Sequence, residues 1–189
     1  LIASSIALNL KSKKNWIKKT GYSRTKKTRE EARKINFCTV CDNYKDCIKE
    51  ANLVILCVPV GAMGDTMEKI TPYLSKSAIV TDVGSVKESV ILEVQKKLPK
   101  GVFFVPAHPL AGTENSGPSA GFASLFENRW CILIDSKRSW RPKHIPKKDL
   151  PLLIQLFKSV IKSVFMRLFI AGSNAPTPGS IIALQSLES

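Results

Sequence analysis

The stretch Leu53-Val54-Ile55-Leu56-Cys57-Val58, closed by Pro59, decides the fold of this chain. An unbroken apolar run rich in β-branched residues is typical of a strand buried on both faces, as in a parallel sheet covered by helices. The runs 78–83, 102–105 and 130–134 have the same character. A helical stripe follows the first run and comprises Met63, Met67, Ile70 and Leu74. This alternation predicts an α/β fold, a Rossmann-like doubly wound parallel sheet.

Upstream of that stretch the pattern continues. Apolar residues in segment 2–10 recur with helical spacing, so the chain begins in or at the start of an amphipathic helix. We predict a short strand over residues 16–22 and helices over 30–35 and 44–51. The capping-box spacing of Ser85 and Glu88 predicts one more helix, with Ser85 as its N-cap and Lys87 as a solvated residue.

Composition limits the classes of protein to consider. The 189 residues are 44% hydrophobic, enough for one domain or one domain plus part of another. The longest apolar stretch, 150–170, is interrupted by charged residues, so no membrane span is expected.

Five cysteines without an export signal indicate a reducing, cytoplasmic location. Cys38 and Cys41 form a CxxC near Cys47, but with no further ligands nearby we expect incidental thiols and no metal site.

The net charge of +14 raises the alternative of nucleic-acid binding. The basic residues concentrate in segments 11–34 and 137–148. Neither segment has interleaved aromatic residues or zinc-finger spacing. We therefore favour a solvated surface and a phosphate-bearing small ligand, and expect no nucleic-acid partner.

Three strand ends carry the candidate chemistry, because ligands of open parallel sheets bind at the carboxyl edge. They are VILCVPV at 54–60, TDVGSVK at 81–87 and HPLAGTENSG at 108–117, the last followed by LFENRWCIL at 125–133. In this order and spacing they resemble the prephenate and arogenate dehydrogenases, and a weaker resemblance extends from Leu1 to about Met166. A dehydrogenase of β-hydroxy acids would share the cofactor domain without needing the HPLAGTENSG segment.

The resemblance implies an oxidoreductase of tyrosine biosynthesis. It would decarboxylate prephenate or arogenate oxidatively, with hydride transfer to NAD(P). His108 would bond the ring hydroxyl and take its proton, a role suited to imidazole at neutral pH. The Ser85 hydroxyl would bond both His108 and the substrate, while Thr113 and Glu114 would line the mouth of the substrate pocket. The alternative is an inactive remnant that binds a nucleotide weakly at most.

The resemblance also places the cofactor. Ala3-Ser4-Ser5 matches the end of a glycine-rich turn, which puts Leu1 and Ile2 at the dinucleotide. The segment from Cys57 through Val58 and Pro59 to Val60 would border the cofactor at the next strand end. Ser23-Arg24-Thr25 follows the predicted strand 16–22 with no carboxylate, and its hydroxyls and guanidinium suit a 2′-phosphate. We therefore favour NADP, with NAD as the alternative.

Residues 1–166 are thus expected to be a dinucleotide-binding domain, N-terminally truncated by its first strand. The family's helical dimerisation domain is expected to be absent, so a homodimer is predicted for the full-length family and not for this chain. Residues 167–189 match nothing in the family, and we expect an atypical tail that arose by frameshift or truncation. An incomplete sheet would have an empty central slot, which predicts poor folding and no measurable turnover.

Overall fold

The computed structural model describes residues 1–13, 17–134, 167–171 and 181–186. The predicted boundary at residue 166 and the basic segment 137–148 lie outside these residues. The helices are α1 (Ile2–Lys13), α2 (Lys26–Ile35), α3 (Tyr44–Ile48), α4 (Met63–Ile70) and α5 (Lys87–Lys97), with 3₁₀ turns at Val60–Ala62 and Thr71–Tyr73. The strands are β1 (Ile17–Tyr22), β2 (Thr39–Val40), β3 (Leu53–Leu56), β4 (Ile79–Asp82), β5 (Phe103–Val105), β6 (Ala107–Pro109), β7 (Trp130–Ile134), β8 (Arg167–Ala171) and β9 (Ile181–Ser186). Among the described helices, none has the length and apolar character needed to cross a bilayer.

Three of the four strands predicted from the apolar runs, β3, β4 and β5, lie side by side in the main sheet, whose order is β2-β1-β9-β3-β4-β5. The fourth, β7, lies in a second sheet. Leu53 pairs with Ile79 and Ile79 with Phe103 in parallel register, so the predicted parallel sheet is confirmed for these strands. Every residue of β3 is buried because successive side chains enter opposite layers. On one face Leu53 and Ile55 pack with α1, and on the other Val54 and Leu56 pack with α4 and α5.

The central slot of this sheet is filled, so the prediction of an empty slot was wrong. β9 lies between β1 and β3 and runs antiparallel to both. Ala183 is in register with Thr20 on one side and with Val54 on the other. Two facing strands with unpaired amides and carbonyls accept an extended segment in either direction, which explains how a strand of unfamiliar sequence completes the sheet. The physical reason to expect poor folding is thereby removed.

A second, three-stranded sheet has the order β6-β7-β8. β6 runs antiparallel to β7, with His108 in register with Ile132, and β7 runs parallel to β8. The link between the sheets is short, because β5 ends at Val105 and β6 begins at Ala107. His108 is therefore held on a paired strand that leaves directly from the edge of the main sheet.

The start of α5 differs from its prediction. The helix begins at Lys87 with Val86 at the N-cap, and no side chain caps it. Asp82 accepts a hydrogen bond of 2.8 Å from the amide of Gly84, which closes an Asx-type turn ahead of the helix. Ser85 therefore lies before the cap position, and the predicted capping role of Ser85 was wrong.

Candidate active site

A cavity of about 600 Å³ opens at the carboxyl edge of the main sheet. It extends from the amino end of α1, past the ends of β1, β3 and β4, to the loop after β6. Its lining includes Leu1, Ile2, Ala3, Ser4, Gly21, Tyr22, Ser23, Thr28, Arg29, Pro59, Val83, Ser85, His108, Gly112, Thr113, Glu114 and Gly117. The structure therefore brings together residues that were predicted from three separate strand ends.

His108 lies on β6 between two buried neighbours, Ala107 and Pro109. Its ring borders the cavity and is half-buried. Burial lowers the pKa of His108 below its ordinary value, and the nearby positive charge of Lys87 lowers it further. Both effects disfavour imidazolium, so the ring is neutral at physiological pH and can accept a proton.

The Ser85 hydroxyl lines the same cavity and is buried, with 4% of the residue exposed. Within the described residues its Oγ has no hydrogen-bond partner, so the bond to His108 implied by the family resemblance is not formed. An unpartnered buried hydroxyl costs free energy unless a ligand satisfies it. Ser85 is thus a donor and acceptor available to a molecule in the cavity.

Beneath these two residues lies a buried ion pair between Lys87 and Asp82. The Lys87 residue is 1% exposed and Asp82 is fully buried, and Lys87 Nζ donates to Asp82 Oδ2. The prediction of Lys87 as a solvated helix residue was therefore wrong. The physical reason is that its Nζ reaches two acceptors below the surface, Asp82 and the carbonyl of Ala107 at 2.9 Å.

The loop after His108 forms the outer wall of the cavity. Thr113 and Glu114 are exposed and line it, which is where the sequence placed them. The Thr113 hydroxyl accepts a bond from the amide of Asn115 at 3.2 Å. Farther along, Ser119 donates from both its amide and its hydroxyl to Glu31 of α2. These two bonds hold the loop against α2.

The predicted cofactor residues divide into two groups. Leu1, Ile2, Ser23 and Pro59 border the cavity. Those that are not among its lining residues are Cys57, Val58, Val60, Arg24 and Thr25. Cys57 is fully buried in the core beneath α1, whereas the Thr25 hydroxyl caps α2 by accepting from the Thr28 amide. Arg24 is exposed and directly follows the lining residue Ser23.

Sequence reasoning missed Arg29. Its guanidinium lies 5.5 Å from the ring centroid of Tyr22 and donates to the carbonyl oxygens of Ser23 and Arg24 at 2.8 and 3.0 Å. It also bonds Asp42 at 3.0 Å. These bonds fix the turn after β1 at the cavity wall. The sequence offered one signal, because Arg29 lies one helical turn after Thr25, the N-cap of α2. Arg29 could not be distinguished from the other basic residues of segment 11–34.

These residues suit a nicotinamide dinucleotide. The amino end of the 12-residue helix α1 faces the cavity, where main-chain amides and the helix dipole favour a diphosphate. Hydroxyl and guanidinium groups lie at the β1 end, and the unpartnered Ser85 hydroxyl and neutral His108 also line the cavity. Among the described residues no cluster of His, Cys, Asp and Glu could hold a metal ion.

The family model described as prephenate dehydrogenase, nucleotide-binding domain, matches residues 6–160. The chain belongs to the prephenate dehydrogenase family. The cyclohexadienyl dehydrogenase of Zymomonas mobilis is 46% identical over 134 residues, which cover 70% of this chain and 45% of that protein. The prephenate dehydrogenase of Lactococcus lactis is 32% identical over 148 residues, covering 75% of this chain and 40% of the relative. The chain thus spans less than half the length of these curated relatives.

Solved structures agree with this assignment. The Aquifex aeolicus prephenate dehydrogenase, in complex with hydroxyphenyl propionate and NAD+, superposes with a TM-score of 0.73 at 26% identity, covering 89% of this chain and 56% of that one. The Synechocystis arogenate dehydrogenase also gives 0.73, at 25% identity, over 92% of this chain and 57% of its own. The Rossmann-like fold and the family follow from independent comparisons of sequence and structure.

Proposed function

We propose that this chain carries the cofactor-binding and proton-accepting part of an enzyme that oxidatively decarboxylates prephenate or arogenate. The observation that carries the proposal is that neutral His108 and the unpartnered hydroxyl of Ser85 line one cavity. That cavity also receives the amino end of α1, which suits the diphosphate of a dinucleotide. The proposal thus joins a base and a cofactor site along one sheet edge.

The chemistry assigned to the residues is simple. His108 accepts the proton of the ring hydroxyl as the hydrogen on the same carbon departs with its electron pair. A nicotinamide dinucleotide held at the amino end of α1 and at the turn after β1 would supply the acceptor for that hydride. The bond to the ring carboxylate then breaks, carbon dioxide leaves, and its electron pair makes the ring aromatic. The Ser85 hydroxyl orients the substrate oxygen towards His108, which restricts the reactants to productive geometry.

The proposed cofactor is NADP, with NAD as the second candidate. Support comes from the turn after β1, where Ser23 lines the cavity and the next residue, Arg24, is exposed. An acidic residue at this place would repel a 2′-phosphate, and none occurs in Gly21-Tyr22-Ser23-Arg24-Thr25. The described cysteines are free thiols, as suits a reducing compartment such as the cytoplasm.

The second candidate is a remnant that binds a nucleotide without turnover. It is favoured by the amino end of α1 and by Ser23, which suit a nucleotide whether or not a substrate is turned over.

One experiment separates these candidates. The purified chain is titrated with NADP+ and NAD+ by calorimetry, and is then assayed for reduced nicotinamide with prephenate and with arogenate. His108→Asn and Arg24→Ala are tested alongside, with Arg33→Ala, an exposed arginine paired with Asp42, as the control for charge. We expect turnover that His108→Asn abolishes, and tighter binding of NADP+ that Arg24→Ala weakens selectively. Binding without turnover would favour the remnant, and failure to bind either nucleotide would overturn both.

A further inference from the structure

We propose that the buried pair Asp82–Lys87 is a positioning device that sets His108 and Ser85 at their working separation. This inference rests on the proposed function. Asp82 ends β4 and Lys87 begins α5, so the pair bridges the turn that carries Ser85. The same pair reaches across to β6, which carries His108.

Asp82 and Lys87 bond the main chain of Gly84 and Ala107, the residues directly before Ser85 and His108. Asp82 accepts the amide of Gly84 at 2.8 Å through Oδ2, and the amide of Ala107 at 3.2 Å through Oδ1. Lys87 Nζ donates to Asp82 Oδ2 and to the carbonyl oxygen of Ala107 at 2.9 Å. Both main-chain groups of Ala107, the residue directly before His108, are therefore held by one ion pair.

A stabilising role alone explains this arrangement poorly. Removing two charges from water costs as much as their attraction returns, so a buried pair contributes little net stability compared with apolar side chains of similar volume. Here the pair also satisfies three main-chain groups at the edge of the cavity, which apolar residues could not do. Its distinctive effect is geometric, since it joins the ends of β4, β6 and α5.

The charge of Lys87 acts on His108 as well. The ammonium opposes protonation of the imidazole, in addition to the effect of burial on its pKa. The other groups facing this region are Asp82 below, Cys131 on β7 and Glu114 on the outer loop. The pKa of the Cys131 thiol is raised to about 12 by burial, so it stays neutral. The pair therefore fixes position, and its Lys87 member also places a positive charge near His108.

The test uses Lys87→Met, which keeps the stem and removes the ammonium. Its matched control is Lys97→Met on the same helix, whose lysine pairs with Glu68 at the surface. The His108 titration is followed by NMR, assigned with His108→Asn, and kcat and KM are measured against pH. We expect the His108 midpoint to rise in Lys87→Met and kcat to fall by about 100-fold, with KM changed less than about threefold. Lys97→Met should behave as the parent chain.

A folded Lys87→Met chain whose His108 midpoint and kcat match the parent overturns the proposal. Because a single change leaves Asp82 charged and unpaired, the double variant Asp82→Asn with Lys87→Met is made in parallel, and it buries no charge. Parental kcat in a folded double variant would also overturn the positioning role. If the parent chain itself shows no turnover, the proposed function fails, while the NMR titration and the chemical shifts of Gly84 and Ala107 still test the pair.

Discussion

A Cβ atom added to Gly121 would lie 2.6 Å from the Cβ of Ser4 and 3.0 Å from the amide nitrogen of Ser5. The loop that follows the active-site segment is thus seated directly on the first turn of α1. The hydroxyl of Ser5 accepts the amide of Phe122 at 3.1 Å, and Asn9 donates to the carbonyl of Ala123 at 2.8 Å. These contacts therefore hold the loop in a fixed position against α1.

Gly121→Ala is expected to destabilise the chain by about 1–3 kcal/mol, because overpacking forces backbone apart where no flexible side chain can yield. Urea unfolding monitored by circular dichroism measures the change. Gly61→Ala is the control, since a Cβ there meets nothing within 4 Å. The double variant Ser4→Gly with Gly121→Ala should recover part of the loss. Equal stability of the two single variants would contradict the contact.

Ser85→Ala separates a ligand-binding hydroxyl from a helix cap. Because Ser85 Oγ has no partner within the described residues and Val86 occupies the cap position, we expect a stability change within about 0.5 kcal/mol. Thr25→Ala removes a real cap on α2 and should cost about 1 kcal/mol. Nucleotide-dependent turnover should nevertheless fall in Ser85→Ala and not in Thr25→Ala. A loss of about 1 kcal/mol in Ser85→Ala would restore the capping interpretation.

The parallel strands could be predicted from sequence because a strand buried on both faces consists of an unbroken apolar run. Three features had no comparable sequence pattern. Lys87 has a charged end that is usually solvated, and its acceptors are Asp82 and Ala107, one of them 20 residues away. The spacing of Ser85 and Glu88 satisfied a capping box, yet the turn closed by Asp82 delays the helix.

The third feature is β9. Its place in the sheet depends on the unpaired edges of β1 and β3, and these exist only once the rest of the sheet has formed. The family resemblance predicted the vacant slot, but no local pattern shows which segment fills it. The placement of His108, Ser85, Thr113 and Glu114 along one cavity could be anticipated, because their segments follow strand ends and parallel strands bring those ends to one edge. Their roles were implied by the family resemblance alone and stay predictions.

The lowered pKa of His108 has a definite effect on pH dependence. Burial and then the Lys87 charge place the pKa of folded His108 below its ordinary value of 6.5. At a pH between the pKa of folded His108 and 6.5, the unfolded chain binds more protons than the folded chain. The free energy of unfolding therefore falls as the pH drops below 6.5. Above 6.5 the contribution is constant. Urea unfolding of the parent and His108→Asn chains across this window should show the free energy of unfolding of the parent falling relative to that of His108→Asn towards the acid side. In a separate measurement, the acid limb of kcat/KM should lie below 6.5.

A parent chain whose acid limb lies above 6.5 would contradict this prediction. His144→Asn provides the control, since His108 and His144 are the two histidines of the sequence. It should leave the acid limb of kcat/KM in place.

Ala183→Pro tests whether β9 completes the sheet. Ala183 is in register with Thr20 and with Val54, so its main chain lies between two partner strands. Proline has no amide hydrogen to donate, and its ring is not accommodated within a central strand. We expect loss of about 3 kcal/mol or more, seen as a lower and broader unfolding transition by circular dichroism. Ala183→Val, which favours extended backbone, is the matched control and should unfold as the parent does. A cooperative transition in Ala183→Pro at the parent's temperature would show that the strand is dispensable and that β1 and β3 are stable with those edges unpaired.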